Sequence, residues 1–328
     1  MKILLLSNHG MSDEIIGNPI MFRMKCALQS NSHIEEVLTL TCNKPFKIWK
    51  ELREKAKKVD VIHIHFGGVY AMVVWFMLIG INKPKLITFH GTDIHAKAIK
   101  TTNSLKDKIK IRLNQWASFI SIVLFDKIGF VAEEMLEYVP QCLNKQLKKK
   151  CFIQKLGVDY NTFVEVDKVE AQKKLNLDSH NIYALFSDVS GTSIKRRDIA
   201  QCIINELGPQ YKLNVMCGVM PNEVPLYINS SDFLLLTSDE EGSPNIIREC
   251  LALNKPVFSV DVGDAKMQLE SLRNSAIISR SPKEAADVIR KTLNETYTDR
   301  TRNSKQNELD LNCIINDVIL IYKELCYK

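Results

Sequence analysis

Glu241 and Glu249 bracket a short turn, Gly242-Ser243-Pro244-Asn245, that follows the apolar run Phe233–Leu236. Two carboxylates beside a helix start can each accept hydrogen bonds from hydroxyls, and the exposed backbone N–H groups of the helix start suit an anion. That combination fits a polyhydroxylated, phosphorylated ligand, with a sugar at one carboxylate, a ribose diol at the other and a diphosphate on the amides.

The surrounding residues specify how the two acids are held. Phe233–Leu236 is uniformly apolar, as expected of a strand buried on both faces. Gly242 lets backbone approach a ligand, Ser243 is a good N-cap and Pro244 suits a first helical position. The helix is expected to run through Leu253, where Asn254-Lys255-Pro256 stops it. Val257–Val260 then reads as a further strand, ending in the turn Asp261-Val262-Gly263-Asp264. Two Glu eight positions apart are commonplace, and acids near a helix start ordinarily just favour the macrodipole. It is the whole strand–turn–helix–strand block that separates this pair from the ordinary case.

That block resembles the donor-site signature of retaining glycosyltransferases of family 4, the group with the GT-B fold. The resemblance implies an α/β chain of two doubly wound, Rossmann-like domains facing a central cleft. It implies that Glu241 faces the transferred sugar, that Glu249 holds the nucleotide ribose, and that the turn Gly242-Ser243-Pro244-Asn245 contacts sugar and diphosphate, chiefly through the amides after Gly242. The implied reaction moves a hexose-type sugar from a nucleotide diphosphate, with UDP as the default, onto a saccharide or lipid-linked acceptor with retained configuration. The leaving phosphate would take the acceptor proton. The nucleotide-sugar is a substrate, so no cofactor is expected. No Asp-x-Asp occurs in the chain, consistent with a metal-independent site.

Other candidates lie at the ends of other apolar runs. Lys195, after the strand Tyr183–Phe186, is placed to neutralise a departing diphosphate. The bland alternative is a cluster of solvated charges, weakened because cations oppose the dipole at a helix start. The family commonly has an Arg shortly before that Lys. This turn has none, so Arg196, or Ser187 and Thr192, would substitute. His90, in Thr88-Phe89-His90-Gly91-Thr92-Asp93, matches the family's loop that carries a His near the sugar; the rival role is a structural cap. Asp93 belongs to the same loop on the acceptor side. His63 and His65 alternate along one strand. His63 reads as a satisfied core residue, whereas His65, before Phe66-Gly67-Gly68, reads as acceptor-side. The loop through Gly17 after the first strand is a candidate cover for the diphosphate. It is not Gly-x-Gly-x-x-Gly, so NAD binding is not expected.

At 328 residues the chain has room for two domains. Strand-like runs at Ile3–Leu6, Val61–Ile64, Leu86–Phe89, Ile128–Val131 and Phe152–Gln154 alternate with helical stretches, and the second half repeats that rhythm. The expected division is an acceptor-side domain over 1–158, a donor domain over 159–305 and a helix over 306–328 that crosses back, with the join near Gly157-Val158-Asp159. Residues 1–160 hold 24 Lys and Arg against 14 Asp and Glu, so the first half is basic. With no helix-turn-helix, zinc-finger or RNA-binding signature, nucleic acid is not the expected partner, and an anionic membrane surface fits better. The basic, apolar-interleaved helix Lys106–Trp116 suits that surface, though a plain surface helix explains it equally. Nine scattered cysteines without Cys-x-x-Cys point to reduced thiols and a cytoplasmic enzyme, and the basic half adds an expected peripheral placement on the inner face of the membrane. The competing functions are a nucleotide-sugar epimerase of the same fold and a non-catalytic sugar-nucleotide-binding subunit.

Overall fold

The computed structural model describes residues 1–8, 19–41, 45–91, 93–96, 99, 104–188, 193–270, 272–295 and 308–327. The chain divides into two compact units, residues 1–156 with 311–328, and residues 157–310.

The first unit is built on six parallel strands, β1 (Lys2–Ser7), β2 (Glu36–Thr41), β3 (Val61–His65), β4 (Lys85–Phe89), β5 (Lys127–Phe130) and β6 (Cys151–Ile153). Their order is β2-β1-β3-β4-β5-β6, so growth of the sheet reverses between β1 and β3. Strand alternation sorts the side chains of β1 to two faces. Leu4 and Leu6 pack with α2 (Trp49–Lys57), α3 (Gly68–Met77), α4 (Leu105–Leu124) and α5 (Asn144–Lys150), all following α1 (Pro19–Gln29) in the chain. Ile3 and Leu5 pack on the other face with α1 and the C-terminal helix Leu311–Cys326. Burial of β1 on both faces is why it reads as one continuous apolar run. Strand β2, Glu36-Val37-Leu38-Thr39-Leu40-Thr41, was not expected. It is an edge strand of mixed burial, and its half-polar sequence hides it.

The C-terminal helix buries Leu311, Ile314, Ile315, Val318, Ile319 and Tyr322. Its Tyr322 enters a buried chain of hydrogen bonds whose direction can be worked out. Thr88 Oγ1 donates to Gln154 Oε1 at 2.6 Å, so it accepts from His63 Nε2 at 2.8 Å. His63 Nδ1 is then the bare nitrogen, and it accepts from the Tyr322 hydroxyl at 2.6 Å. His63 is fully buried with both ring nitrogens bonded, the satisfied core histidine that its strand position suggests. Burial, and next the charge of His90, lowers its pKa to about 3.

The second unit carries β7 (Ile182–Ser187), β8 (Tyr211–Met216), β9 (Phe233–Leu236), β10 (Val257–Ser259) and β11 (Ala276–Ile277) in the order β11-β10-β9-β7-β8, again parallel. Here the reversal falls between β7 and β9. Its helices are α6 (Lys168–Lys174), α7 (Arg197–Leu207), α8 (Val224–Ser230), α9 (Asn245–Ala252), α10 (Ala265–Leu269) and α11 (Pro282–Asn294). The unit opens on a turn organised by Asp159, whose carboxylate accepts from Asn161 N–H at 3.0 Å and Thr162 Oγ1 at 2.7 Å. Gly157 adopts no positive φ, so the chain redirects here through the Asp159 turn and not through glycine freedom. Val158 N–H closes the unit by donating to Leu309 C=O at 2.7 Å.

Both sheets are parallel with helices packed on them, an α/β architecture in which ligands bind beyond the strands' carboxyl ends at the reversal point.

Candidate functional site

In the second unit the loop after β9 is stitched to the segment that follows β7. A 3-10 turn, Ser193–Lys195, precedes α7, and Arg196 between them is left-handed at φ +53°. The Thr237 hydroxyl donates to the carbonyls of Lys195 and Arg196, both at 3.0 Å, and Asp239 N–H donates to Ile194 C=O at 2.8 Å. These bonds bring Lys195 Nζ to 2.6 Å from Glu241 Oε1, which also accepts from Ser238 Oγ at 2.8 Å. Both side chains are largely screened from solvent. Glu241 Oε2 has no bond among the described residues, and Lys195 keeps further N–H donors, so the pair offers an acceptor and donors side by side.

Arg196 points elsewhere. Its guanidinium meets Asp198 at 2.9 Å and Asp239 at 3.3 Å, and the Asp198 hydrogen bond leads in raising its pKa. Arg280, which the sequence reading missed, binds Asp239 at 3.0 Å and donates to Thr237 C=O at 3.0 Å and Ser238 C=O at 2.8 Å. It braces the loop of Glu241. An arginine just past the end of β11 was the available signal.

Ser243 is not the helix cap that its sequence position suggested. Pro244 occupies the cap position of α9, and no side chain caps the helix. The Ser243 hydroxyl instead donates to Asp264 Oδ2 at 2.7 Å. Arg248 reaches the same two partners, Ser243 Oγ at 2.5 Å and Asp264 Oδ2 at 2.9 Å, and Gln268 Nε2 donates to Asp264 Oδ1 at 2.6 Å. Arg248 and Asp264 are an ion pair with side chains only 6% and 1% exposed. Gly263, at φ +56°, lies so close that a Cβ there would stand 2.5 Å from Gly242 C=O. The turn after β10 thus clamps the start of α9. The first amides of α9 are left without a side-chain acceptor, the usual condition for holding an anion. Asn245 and Glu249 are one helical turn apart on one face. Glu249 is buried, and Asn245 Oδ1 is buried with no hydrogen-bond partner among the described residues.

In the first unit, the ends of β3 and β4 carry His65 and His90. The Asp93 carboxylate accepts from the N–H groups of Gly67 at 2.7 Å, Gly91 at 2.8 Å and His90 at 3.0 and 3.1 Å. Burial pushes its pKa up, and these bonds oppose the rise. Asp93 therefore holds two loops together, with its oxygens turned to backbone. His65 is fully buried and does not border solvent. Its Nδ1 lies 3.0 Å from His90 Nε2, and its Nε2 has no partner among the described residues. Burial first, then the charges of His63 and His90, hold its pKa well below the usual value, so it is neutral. The His90 ring stacks on Phe66 at 4.1 Å between centroids and is partly exposed. Phe66 itself is left-handed at φ +70°. Gly17 lies outside the described residues.

Known proteins share this fold. Sucrose-phosphate synthase of Thermosynechococcus elongatus superposes with a TM-score of 0.77 at 12% identity, covering 99% of each chain. HepE of Anabaena, solved with UDP-glucose, superposes with a TM-score of 0.72 at 14% identity, covering 99% of this chain and 100% of that one. At such identities the likeness speaks for the fold alone, and that fold is GT-B. Residues 168–309, which lie in the second unit, match the family model of glycosyl transferases group 1. A putative teichuronic acid biosynthesis glycosyltransferase, TuaC of Bacillus subtilis, is 23% identical over 264 residues. The alignment covers 74% of this chain and 63% of that protein, so this chain spans less than two thirds of its relative's length.

Proposed function

We propose that the chain is a retaining glycosyltransferase that moves a hexose-type sugar from a nucleotide diphosphate, with UDP the leading base, to a saccharide or lipid-linked acceptor. The observation that carries the reading is the Lys195–Glu241 pair, 2.6 Å apart at the sheet reversal and next to an uncapped helix start. HepE, of the same fold, was solved with UDP and with UDP-glucose, which supports the donor class. The TuaC likeness supports a role in surface polysaccharide or glycolipid assembly.

In this reading the diphosphate rests on the N–H groups of Gly242, Ser243 and Asn245, with Pro244 offering no donor, and Glu249 takes the ribose diol. Asn245 Oδ1 gains the partner it lacks. Glu241 Oε2 orients the sugar hydroxyls while Oε1 stays with Lys195 and Ser238. As the bond from the anomeric carbon to the phosphate breaks, negative charge grows on the leaving oxygen. The remaining Lys195 protons and the helix start stabilise it, with no metal needed. The leaving oxygen accepts the acceptor's proton as the new bond forms on the same face. Glu241 is not a nucleophile in this scheme, since one of its oxygens is already engaged by an ammonium group. His90, fixed by Asp93 and Phe66, keeps the role that the family resemblance implies, a hydrogen bond to the transferred sugar or stabilisation of charge at the anomeric carbon.

Incubation with labelled nucleotide sugars and a membrane extract tests the reading. A transferase releases nucleotide only when acceptor is supplied. Interconversion of sugars without acceptor would mark an epimerase, and binding without either reaction a sugar-nucleotide-binding subunit.

A further inference from the structure

Helix α4 carries an apolar stripe that faces away from its own unit. At about 100° per residue, Leu105, Ile109, Leu113, Trp116 and Val123 fall within an arc of roughly 80°. The first four are 73, 53, 54 and 59% exposed, and Val123 is also exposed. The buried residues Ala117, Ser118, Ser121 and Ile122 occupy the opposite side and pack on the unit. Cations border the stripe on both flanks, with Lys108 and Arg112 on one side and Lys106 and Lys110 on the other. The single acid of this half, Asp107, lies away from the stripe, in the first turn, where Ser104 Oγ caps the helix. Lys150 closes the far end, donating to Val123 C=O at 2.9 Å and Phe125 C=O at 2.8 Å. Exposed Lys148 and Lys149 stand on α5, which packs against α4.

The stripe is coupled to the candidate site. Gln115 Nε2 donates to Ile94 C=O at 3.3 Å. Ser118 Oγ donates to Asp93 C=O and accepts from Gly68 N–H at 2.7 Å. Val69 N–H bonds Asn114 Oδ1 at 3.1 Å, so α3 begins beside the middle of α4 and Leu105–Leu113 precede that point. The helix bearing the stripe therefore also braces the loops of His65 and His90.

We propose that this face of α4 lies in the interfacial layer of an anionic phospholipid bilayer. The apolar arc enters the boundary of the acyl chains, Trp116 sits at headgroup level, and Lys106, Lys108, Lys110 and Arg112 meet lipid phosphates. Among the described residues no helix is long and apolar enough to cross a membrane, so the contact is lateral. Charge selects the occupant. A second copy packed on the same face would set these four cations against four more, whereas an anionic bilayer neutralises them. The proposal rests on the transferase reading in one respect only: an acceptor borne by the membrane would be delivered beside the loop of His90.

Vesicle flotation of the full chain tests it, using phosphatidylglycerol mixed with phosphatidylcholine against phosphatidylcholine alone. The chain is expected to float with the anionic vesicles, to stay down with the neutral ones, and to release as salt rises. Ile109→Asp with Leu113→Asp, and separately Lys106→Glu with Lys110→Glu, should each cut binding by more than about tenfold. Lys173→Glu, an exposed change in the second unit, should not. All these positions are exposed, and an unchanged melting curve by circular dichroism verifies folding. Failure of the wild type to float, equal flotation on neutral vesicles, undiminished flotation of the two double variants, or a dimer that they dissolve would each overturn the proposal. Flotation needs neither donor nor acceptor, so its failure and a failure to transfer sugar are read separately.

Discussion

Lys195 and Glu241 reach one another from loops that follow different strands, β7 and β9, and meet with Nζ 2.6 Å from Oε1. The two strands are neighbours in the sheet although β8 separates them in sequence, so the pair straddles the reversal of sheet growth. Replacing Glu241 with Ala should lower sugar transfer by about 10²–10³-fold, the scale of losing one group that acts on the transition state. The position is in a loop, so the thermal midpoint should move by a few degrees at most. Glu249→Gln should instead weaken UDP binding by about tenfold or more in calorimetry. Wild-type turnover of the first variant, or unchanged UDP affinity of the second, would remove the corresponding role.

Arg248 and Asp264 form a buried ion pair that also holds Ser243. Removing one partner strands a charge, so Arg248→Met or Asp264→Asn alone should each cost about 3–5 kcal/mol in urea unfolding. The double variant should cost clearly less than the sum, because no charge is then stranded. Additive losses would mean that the two side chains are energetically independent.

Gly263 and Gly218 both have positive φ, +56° and +63°, but only Gly263 has backbone in the space of a Cβ. Changing either to Ala brings the left-handed strain of about 1–2 kcal/mol. Gly263→Ala must also displace Gly242, so it should lose more stability than Gly218→Ala and weaken UDP binding, which Gly218→Ala leaves intact. Equal effects of the two substitutions would show that the clamp on Gly242 is unimportant.

His63 and His65 are buried and neutral. Folded His63 takes a proton only near about 3, whereas the unfolded chain takes it near 6.5. Below 6.5 the unfolded state therefore binds more protons, and stability falls as pH drops toward 3. His63 contributes about 1.4 kcal/mol per pH unit over that window, and His65, whose pKa is lowered in the same direction, adds to the loss. Urea unfolding between pH 7 and pH 5 should show this loss, and His63→Gln should flatten the slope. A pH-independent midpoint over that range would show that the two rings are not buried neutral.

Much of this protein is local and was legible residue by residue. Phe233–Leu236 must be buried because it has no polar alternation, and Asn254-Lys255-Pro256 ends the helix before β10 in the expected place. Elements whose periodicity is strong were found, while edge strand β2 and the short helices α5, α6, α8 and α10 were not. Their burial patterns are mixed or span too few residues to register. His63 was recognised as a core residue from strand alternation, but the order of its hydrogen bonds needed Tyr322, 259 positions away.

Side-chain partnership is where the sequence runs out, because it depends on which loops the sheet order makes adjacent. Ser243 has the composition of a helix cap, yet Asp264 and Arg248 outbid the helix for its hydroxyl once β10 lies beside β9. Arg196 has the charge and the position after a strand that suit a phosphate, yet in the fold, with its backbone left-handed, its guanidinium meets Asp198 and Asp239. By itself the sequence determined the strands, the turns and the chemical types present at their ends. Only the tertiary structure decided which of those groups meet, since a contact made across a sheet leaves no mark in local composition.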